Sequence, residues 1–209
     1  MQQLLASMIS ALPQDDVVFC FPNARSFPAL LRSGMQPAGE LRLWVSPVLA
    51  TATPPPDYSV GFSAEAISQP LPRLKSGEAK LAARLDHKYL DWRFARRPDV
   101  KYVRLSVRDE FQGDAFVRMA LIGRLLVTVI MLIRAQPGAL KALLKAVAHY
   151  AGTQGAWAIL YLSSEPWRRP LITFFAPVPR GRMPRQFPIA MRSYDIRRLD
   201  FTASDWDVL

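Results

Sequence analysis

Residues 17–45 read VVFCFPNARSFPALLRSGMQPAGELRLWV, and this stretch decides the fold. The apolar run Val17–Phe21 ends in a Pro-Asn pair and predicts a strand. The amphipathic segment that follows predicts a short helix, Arg25–Ser33. The β-rich run Leu41–Ser46 then predicts a second strand, so the stretch is interpreted as strand, helix and strand.

Five positions of this stretch have a spacing that resembles the closing part of the GNAT (acyl-CoA N-acyltransferase) fold. There an Asn leads a helix, and a small residue, an aromatic hydroxyl, a glycine and a large apolar residue follow three, seven, eleven and twelve positions on. Here these positions hold Asn23, Ser26, Leu30, Gly34 and Met35. We expect the side-chain oxygen of Asn23 to cap the helix and Gly34 to end it in the left-handed conformation.

The remaining pattern predicts a second unit behind a proline-rich connector. Ala50–Ser76 contains five prolines and predicts an extended connector. The further predicted elements are helix Gln2–Leu12, helix Glu78–Phe94, strand Val103–Val107, a hairpin of Ala115–Ile122 and Leu125–Ile133, helix Gly138–Tyr150, strand Trp157–Leu162, helix Trp167–Phe175, strand Phe187–Arg192 and strand Trp206–Leu209.

The order of these elements also resembles GNAT, and a Trp-Arg-Phe motif, Trp92–Phe94, stands near the start of the second unit. The resemblance implies an α+β fold with a mixed, mostly antiparallel GNAT-like sheet and flanking helices. It divides the chain into the C-terminal part of a first GNAT-like domain (1–49), the connector (50–76) and a complete second GNAT-like domain (77–209). Because the chain begins inside a helix of the first domain, we expect a member truncated at its N terminus.

The resemblance implies acyl transfer, typically acetyl transfer, from acyl-CoA as co-substrate to a small-molecule amine or sugar acceptor. The acyl-CoA loop of the second domain falls between the hairpin and the next helix, which makes Arg134, Gly138 and Ala139 the candidate cofactor-binding residues. The alternative is a structural turn, because Arg134 and Gly138 are one residue too far apart for the family motif and Pro137 lacks an N–H donor. The residues implied for substrate binding are Trp92, whose alternative role is a core anchor, and Arg93.

The catalytic acid and base stay unassigned. The family often protonates the leaving thiolate with a Tyr, and Leu30 at the matching position has no proton to give. Asp86 and Asp91 flank the Trp-Arg-Phe motif and are candidate bases, with surface charge pairing as the alternative. The chain has two histidines, His87 and His149, and one cysteine, so we expect no metal site and no internal disulfide.

The net charge of +10 rests on 21 Arg and 6 Lys that are spread along the chain. This charge has two possible explanations: the protein binds an anionic partner such as the phosphates of coenzyme A, or it uses arginine to keep its surface soluble. Nucleic-acid binding is not expected, because aromatic residues do not alternate with the basic ones. The longest apolar run, Leu125–Ile133, is too short for a membrane span, and without a signal sequence we expect a cytoplasmic protein.

Two hypotheses from different classes follow. The first is a GNAT-like N-acyltransferase, which the missing or eroded loop predicts to be inactive alone. The second is a non-catalytic interaction module. A partial first domain leaves apolar surface uncovered, so we expect a homo-oligomer or a partner chain that covers residues 1–49.

Overall fold

The computed structural model describes residues 7, 10–11, 18–23, 25–48, 53–61, 81–82, 86–96, 99–163, 174–182, 187–192 and 199–200. The strands are β1 Phe19–Cys20, β2 Gln36–Glu40, β3 Arg42–Pro47, β4 Tyr58–Val60, β5 Leu81–Ala82, β6 Tyr102–Arg108, β7 Gln112–Ile122, β8 Leu125–Ala135, β9 Ala158–Ser163, β10 Ala176–Pro177, β11 Pro188–Met191 and β12 Leu199–Asp200. The helices are α1 Phe27–Arg32, α2 His87–Leu90 and α3 Leu140–Thr153, with a π turn at Asp91–Ala95 and 3₁₀ turns at Pro137–Ala139 and Arg180–Arg182.

The main sheet has seven strands in the order β10-β3-β9-β8-β7-β6-β4. Its pairs are antiparallel except β8 with β9, which run parallel. The predicted α+β class, with a mixed and mostly antiparallel sheet, is therefore confirmed. β3 precedes the proline-rich connector and pairs with β9, which follows it, so both parts of the chain share this sheet. The division into 1–49, 50–76 and 77–209 stays a prediction.

Two clusters of buried residues cover the two faces of the main sheet. Along β7, Ala115 and Val117 belong to the first cluster and Phe116 to the second, as the alternation of a strand requires. The first cluster contains the apolar stripe of α3, including Leu143 and Val147. The second contains residues of α2, the π turn and a three-stranded sheet of order β1-β11-β2. We call the sheet face that packs against α3 through the first cluster the helix face. The opposite face, which carries the second cluster, is called the open face, because no long helix of the described residues packs on it.

At the ends of α1, Gly34 behaves as expected, whereas the N-cap is Ser26 and Asn23 holds the turn that precedes the helix. Asn23 Oδ1 accepts hydrogen bonds from the backbone N–H groups of Arg25 at 3.0 Å and Ser26 at 2.9 Å. The carbonyl oxygen of Asn23 accepts from the N–H of Phe27, the first residue of α1. Gly34 has a φ of +93°, the left-handed conformation that a residue with a side chain rarely adopts.

Most predicted elements of the second unit are observed with small shifts of their ends. The hairpin turns at Gly123, whose φ is +61°, and the strands on both sides are longer than expected. α3 follows the 3₁₀ turn that begins at Pro137, as the position of the proline predicts. β9 and β11 occupy the places of the predicted strands Trp157–Leu162 and Phe187–Arg192.

The predicted helix Glu78–Phe94 is wrong in its first half. Leu81–Ala82 is a strand, and the helix begins only at His87. Asp86 is the N-cap, because its side chain accepts the backbone N–H of Tyr89 at 2.9 Å. An aspartate before a helical run is a start signal that competes with continuing the helix from Glu78.

Five of the described strands were not predicted, namely β2, β4, β5, β10 and β12. β2 contains Pro37 and Gly39, which disfavour strands, and Gly39 adopts a φ of +113° next to an irregularity in the pairing with β11. β4 lies within the predicted connector and pairs with β6. Of the predicted helix Gln2–Leu12, the described residues Ser7, Ser10 and Ala11 are helical. Residues 167–173 of the predicted helix Trp167–Phe175 and the strand Trp206–Leu209 lie outside the described residues. Within the described part of the chain, no helix has the length and apolarity that crossing a membrane requires.

Candidate functional site

The two parallel strands of the main sheet stop pairing before either of them ends, and we call the place where they part the cleft. β8 and β9 pair from Val127 opposite Ala158 to Ile130 opposite Tyr161. β8 then continues to Ala135 and β9 to Ser163 without further pairing between them. Ligands of sheets with parallel strands bind beyond the carboxyl ends of those strands. The place where β8 and β9 part is therefore the candidate site.

A β-bulge lies at the point where the cleft begins. On β7 and β8, Phe116 is opposite Leu132 and Val117 is opposite Ile130, so Met131 is an extra residue with no partner in the ladder. Met131 is buried and belongs to the cluster on the open face. Bulges release backbone groups from a ladder and are frequent beside active sites.

The N-terminus of α3 follows the carboxyl end of β8 after Gln136 and the 3₁₀ turn Pro137–Ala139. This 14-residue helix has no acidic residue in its first turn and no side chain that caps it. Lys141 is exposed in that first turn, where the helix dipole disfavours a cation. A helix N-terminus flanked by a lysine is a suitable place for an anionic group such as a phosphate.

Solved structures of N-acetyltransferases are similar to this chain in fold. A GCN5-related N-acetyltransferase from Anabaena variabilis has a TM-score of 0.53 and 11% identity, over 91% of this chain and 48% of that one. A conserved protein from Enterococcus faecalis, described as a probable N-acyltransferase, has a TM-score of 0.50 and 10% identity, over 91% and 47%. The chain has the GNAT fold. It spans about half the length of these two proteins.

A third GNAT structure, from Sphaerobacter thermophilus, has a TM-score of 0.43 and 11% identity, over 91% of this chain and 64% of that one. No protein-family model and no curated protein matches the sequence. The likeness to GNAT structures therefore concerns the fold alone, and the chemistry has to be argued from the residues of this chain.

The three predicted cofactor-binding residues lie on different sides of the sheet. Arg134 is 2% exposed and donates to Asp114 Oδ2 at 2.7 Å on the open face. Ala139 is buried in the cluster on the helix face, beside Gly113. Gly138 lies against the ring of Phe111. Cofactor binding by this set stays a prediction, and the structure gives each member a packing role.

The backbone of the predicted loop is largely engaged within the protein. The N–H of Gln136 donates to the carbonyl of Gln112, and the N–H of Gln112 donates to Gln136 Oε1, both at 2.9 Å. The N–H of Ala139 donates to the carbonyl of Gln136, and Pro137 has no N–H. Fewer donors remain for a diphosphate than a glycine-rich loop supplies, which favours the structural-turn alternative for this loop.

Asp114 is the centre of a buried ionic network that the sequence reasoning missed. Its Oδ1 accepts from Arg104 at 2.8 Å, from Arg108 at 2.8 Å and from Ser106 at 2.9 Å. Its Oδ2 accepts from Arg134. Ser106, Asp114 and Arg134 are opposite one another on β6, β7 and β8, so the register brings them together. The sequence signal was the alternation of polar residues at 104, 106 and 108, two of them inside the predicted strand Val103–Val107 and the third directly after it.

Counted over the described residues, this network carries more positive than negative charge. Three guanidinium groups surround one carboxylate, and Arg104 and Arg134 are 1% and 2% exposed. Within the described part of the chain, the Nε atoms of Arg104 and Arg134 have no hydrogen-bond partner. Burial lowers the pKa of Arg134, and Asp114 opposes that shift. The Asp114 carboxylate therefore offsets part of the cost of burying the arginine side chains.

The Trp-Arg-Phe motif is split between the surface and the open face. Trp92 is 59% exposed, whereas Arg93 and Phe94 are buried. The Arg93 guanidinium lies 5.9 Å from the ring centres of Phe94 and Tyr102. Substrate binding by Trp92 and Arg93 stays a prediction. Of the two, the exposed indole of Trp92 is the group that a solute can reach directly.

The candidate catalytic and metal-binding residues do not form a cluster. Asp91 forms an ion pair with Arg96, as the surface-pairing alternative expects, and Asp86 caps α2. Leu30 lies half-buried in α1, and the ring of His149 meets Tyr58 edge-on at 5.9 Å. Burial raises the pKa of Cys20, which disfavours its thiolate. In the described ranges, no group of three or more His, Cys, Asp or Glu residues is arranged to hold a metal ion.

Gly138→Ala is expected to lower the free energy of unfolding by about 1–3 kcal/mol, the usual cost of overpacking. A methyl group at this position would lie 2.3 Å from Phe111 Cδ2 and 2.5 Å from its Cγ. Urea unfolding of the single variants and of Gly138→Ala/Phe111→Ala measures the coupling. With the ring removed, the alanine should be neutral or stabilising, because it favours a helical turn. Equal losses in both backgrounds would show that the contact is not the cause.

Proposed function

We propose that this chain is an N-acyltransferase that transfers an acyl group from acyl-CoA to an amine. One observation carries the proposal: the bulge at Met131 stands where β8 and β9 part, directly ahead of the N-terminus of α3. Acyl-CoA is an extended molecule with a thioester at one end and a diphosphate further along. The parting strands can take the extended part, the bulge at Met131 can contact the thioester, and the N-terminus of α3 can bind the diphosphate.

Each part of the cleft has a chemical role in this proposal. The diphosphate of the donor lies at the N-terminus of α3, beside Lys141, where the helix dipole and the ammonium group both favour it. The thioester lies at the bulge, where a backbone N–H released from the ladder polarises its carbonyl oxygen. The amine attacks the carbonyl carbon, the C–S bond breaks, and the thiolate of coenzyme A leaves with the proton that the amine loses. No side chain is assigned as acid or base.

Calorimetric titration of the full chain with acetyl-CoA tests the donor site. We expect binding in the micromolar range, about −8 kcal/mol at 1 μM. Lys141→Glu should weaken it about tenfold, which corresponds to about 1.4 kcal/mol, and the loss should shrink at high salt. Lys145→Glu is the matched control, since Lys145 is also exposed but lies one turn further along α3.

Two outcomes would contradict the donor site at α3. Absence of acetyl-CoA binding would remove it altogether. Equal losses in the two lysine variants would show that the effect is one of overall charge and not of position. Release of free thiol with a panel of amines then tests transfer itself.

The alternative proposal is a non-catalytic module that associates with a second copy of itself. Large apolar side chains are exposed around the β7–β8 turn, where Leu121 is 71% and Leu125 is 48% exposed, with Trp157 at 69%. The backbone N–H of Trp157 donates to the carbonyl of Leu126, so these side chains share one end of the sheet. Light scattering distinguishes the two proposals when it is combined with the titration. A monomer that binds acetyl-CoA favours the enzyme, and an oligomer that does not bind it favours the module.

A further inference from the structure

An apolar groove of about 420 Å³ lies on the open face of the main sheet. Its lining includes Leu43, Arg118, Val129, Leu160, Leu162 and Phe187. Most of these residues belong to the cluster of the open face or pack against it. The volume is within the range of about 300–1,000 Å³ that holds small-molecule ligands in proteins.

The groove adjoins the proposed reaction centre. Val129 is two residues before the bulge at Met131 on β8. Leu160 and Leu162 flank Tyr161, the last residue of β9 that pairs with β8. A molecule held at the apex of the cleft on the open face therefore faces the groove without crossing a strand.

The lining suits a hydrocarbon chain better than an amine acceptor. Apart from Arg118, the described residues that line it are apolar, and none of these described residues is a carboxylate. The ammonium group of an amine acceptor would lie near the Arg118 cation, and none of the described lining residues supplies a carboxylate to pair with it. A hydrocarbon chain requires only apolar surface. The groove also includes Leu121 and Ile122, which are 71% and 45% exposed at the end of β7.

We propose that this groove holds the hydrocarbon chain of the donor, so that the preferred donor is a medium- or long-chain acyl-CoA. The inference rests on the proposed function, because it places the thioester at Met131. An acetyl group has a single methyl and would leave nearly the whole groove empty. A longer chain fills it and covers the apolar side chains that now face solvent.

The direct test measures how the affinity of the unaltered full-length protein for acyl-CoA depends on the length of the acyl group. Calorimetry with acetyl-, octanoyl- and dodecanoyl-CoA, below their micelle concentrations, gives one dissociation constant for each. Each buried methylene should strengthen binding about fourfold, so octanoyl-CoA, with six more methylenes, should bind at least about 100-fold more tightly than acetyl-CoA even when they are only partly buried. Affinity should stop rising once the groove is filled.

A groove-filling variant tests whether the gain arises here. Ala120 lies in the lining and is half-buried, so Ala120→Trp should bring octanoyl-CoA to within about tenfold of acetyl-CoA while acetyl-CoA binding persists. Ala176→Trp, on the exposed strand β10, should keep the full preference. The chain-length series does not depend on whether Ala120→Trp folds.

The outcomes separate this inference from the proposed function. Equal affinities for acetyl- and dodecanoyl-CoA would overturn the inference and leave acyl transfer standing. If Ala176→Trp also lost the preference for long acyl chains, the hydrocarbon chain would not be bound in the groove. Failure of every CoA ester to bind would instead overturn the donor site itself. Binding of dodecylamine with no chain-length effect among CoA esters would assign the groove to the acceptor, against the inference.

Discussion

Asp114→Asn is expected to lower the free energy of unfolding by about 3–5 kcal/mol, the cost of removing one partner from a buried ionic network. The carboxylate is 0% exposed and accepts hydrogen bonds from three arginines. An amide supplies one acceptor oxygen in place of two and turns an NH₂ group toward guanidinium donors. Among the residues that the structure describes, Arg104 and Arg134 would then be buried cations that have lost their carboxylate partner. Because whole domains are stable by only about 5–15 kcal/mol, this is a large fraction of the total.

Urea unfolding followed by far-UV circular dichroism measures the loss. Asp91→Asn is the matched control, because it removes the same kind of charge from a pair with Arg96, whose side chain is 78% exposed. Exposed pairs contribute about 0–1 kcal/mol, so this variant should unfold close to the unaltered protein. Similar losses in the two variants would mean that Asp114 does not compensate the buried arginines.

A second substitution distinguishes charge from shape. If the unpaired guanidinium causes the loss, Asp114→Asn/Arg134→Met should be more stable than Asp114→Asn alone, because one uncompensated cation is gone. If the loss comes from packing alone, the double variant should be the less stable one. The comparison stays informative when the single variant is too unstable to purify, since recovery of folded protein in the double variant is then the readout.

The elements that sequence predicts best are those whose signal is local. The β7–β8 hairpin follows from two apolar runs around Gly123, and α3 follows from Pro137 and an apolar stripe. Asn23 and Gly34 mark the ends of α1 by their own backbone and side-chain chemistry. The resemblance to GNAT rested on such local spacings, and the arrangement of strands agrees with it.

The site depends on strand register, which sequence does not show. The bulge at Met131 exists only because Phe116 and Val117 face residues that are two apart on β8. The ionic network needs β6, β7 and β8 aligned so that Ser106, Asp114 and Arg134 meet. Asp114 fell outside the predicted strand Ala115–Ile122, so nothing marked it as part of a sheet. The sequence marks Arg134 as a candidate for a diphosphate, but it does not show that Asp114 on β7 is the partner of this side chain.

Phe94→Ala is expected to lower the free energy of unfolding by about 3–5 kcal/mol, as truncation of a buried phenylalanine usually does. The Phe94 ring is 2% exposed, stacks on Phe116 with 4.5 Å between centres and meets Tyr102 edge-on at 5.1 Å. Phe116 in turn lies 5.5 Å from the Arg134 guanidinium. Removing Phe94 therefore leaves a cavity over the ring that packs against the ionic network.

Trp92→Ala supplies the control from the same motif, two residues away. Because the indole is 59% exposed, this variant should change the free energy of unfolding by about 0.5 kcal/mol or less. Denaturant titration of both variants gives the comparison. A large loss for Trp92→Ala would show that the indole is a core anchor after all.

With stability intact, a raised KM for the amine at unchanged kcat would place Trp92 against the acceptor, since that pattern reports binding shared by ground state and transition state. The motif then joins two roles within three residues, a buried ring that holds the turn to the sheet and an exposed ring that is free to meet a ligand.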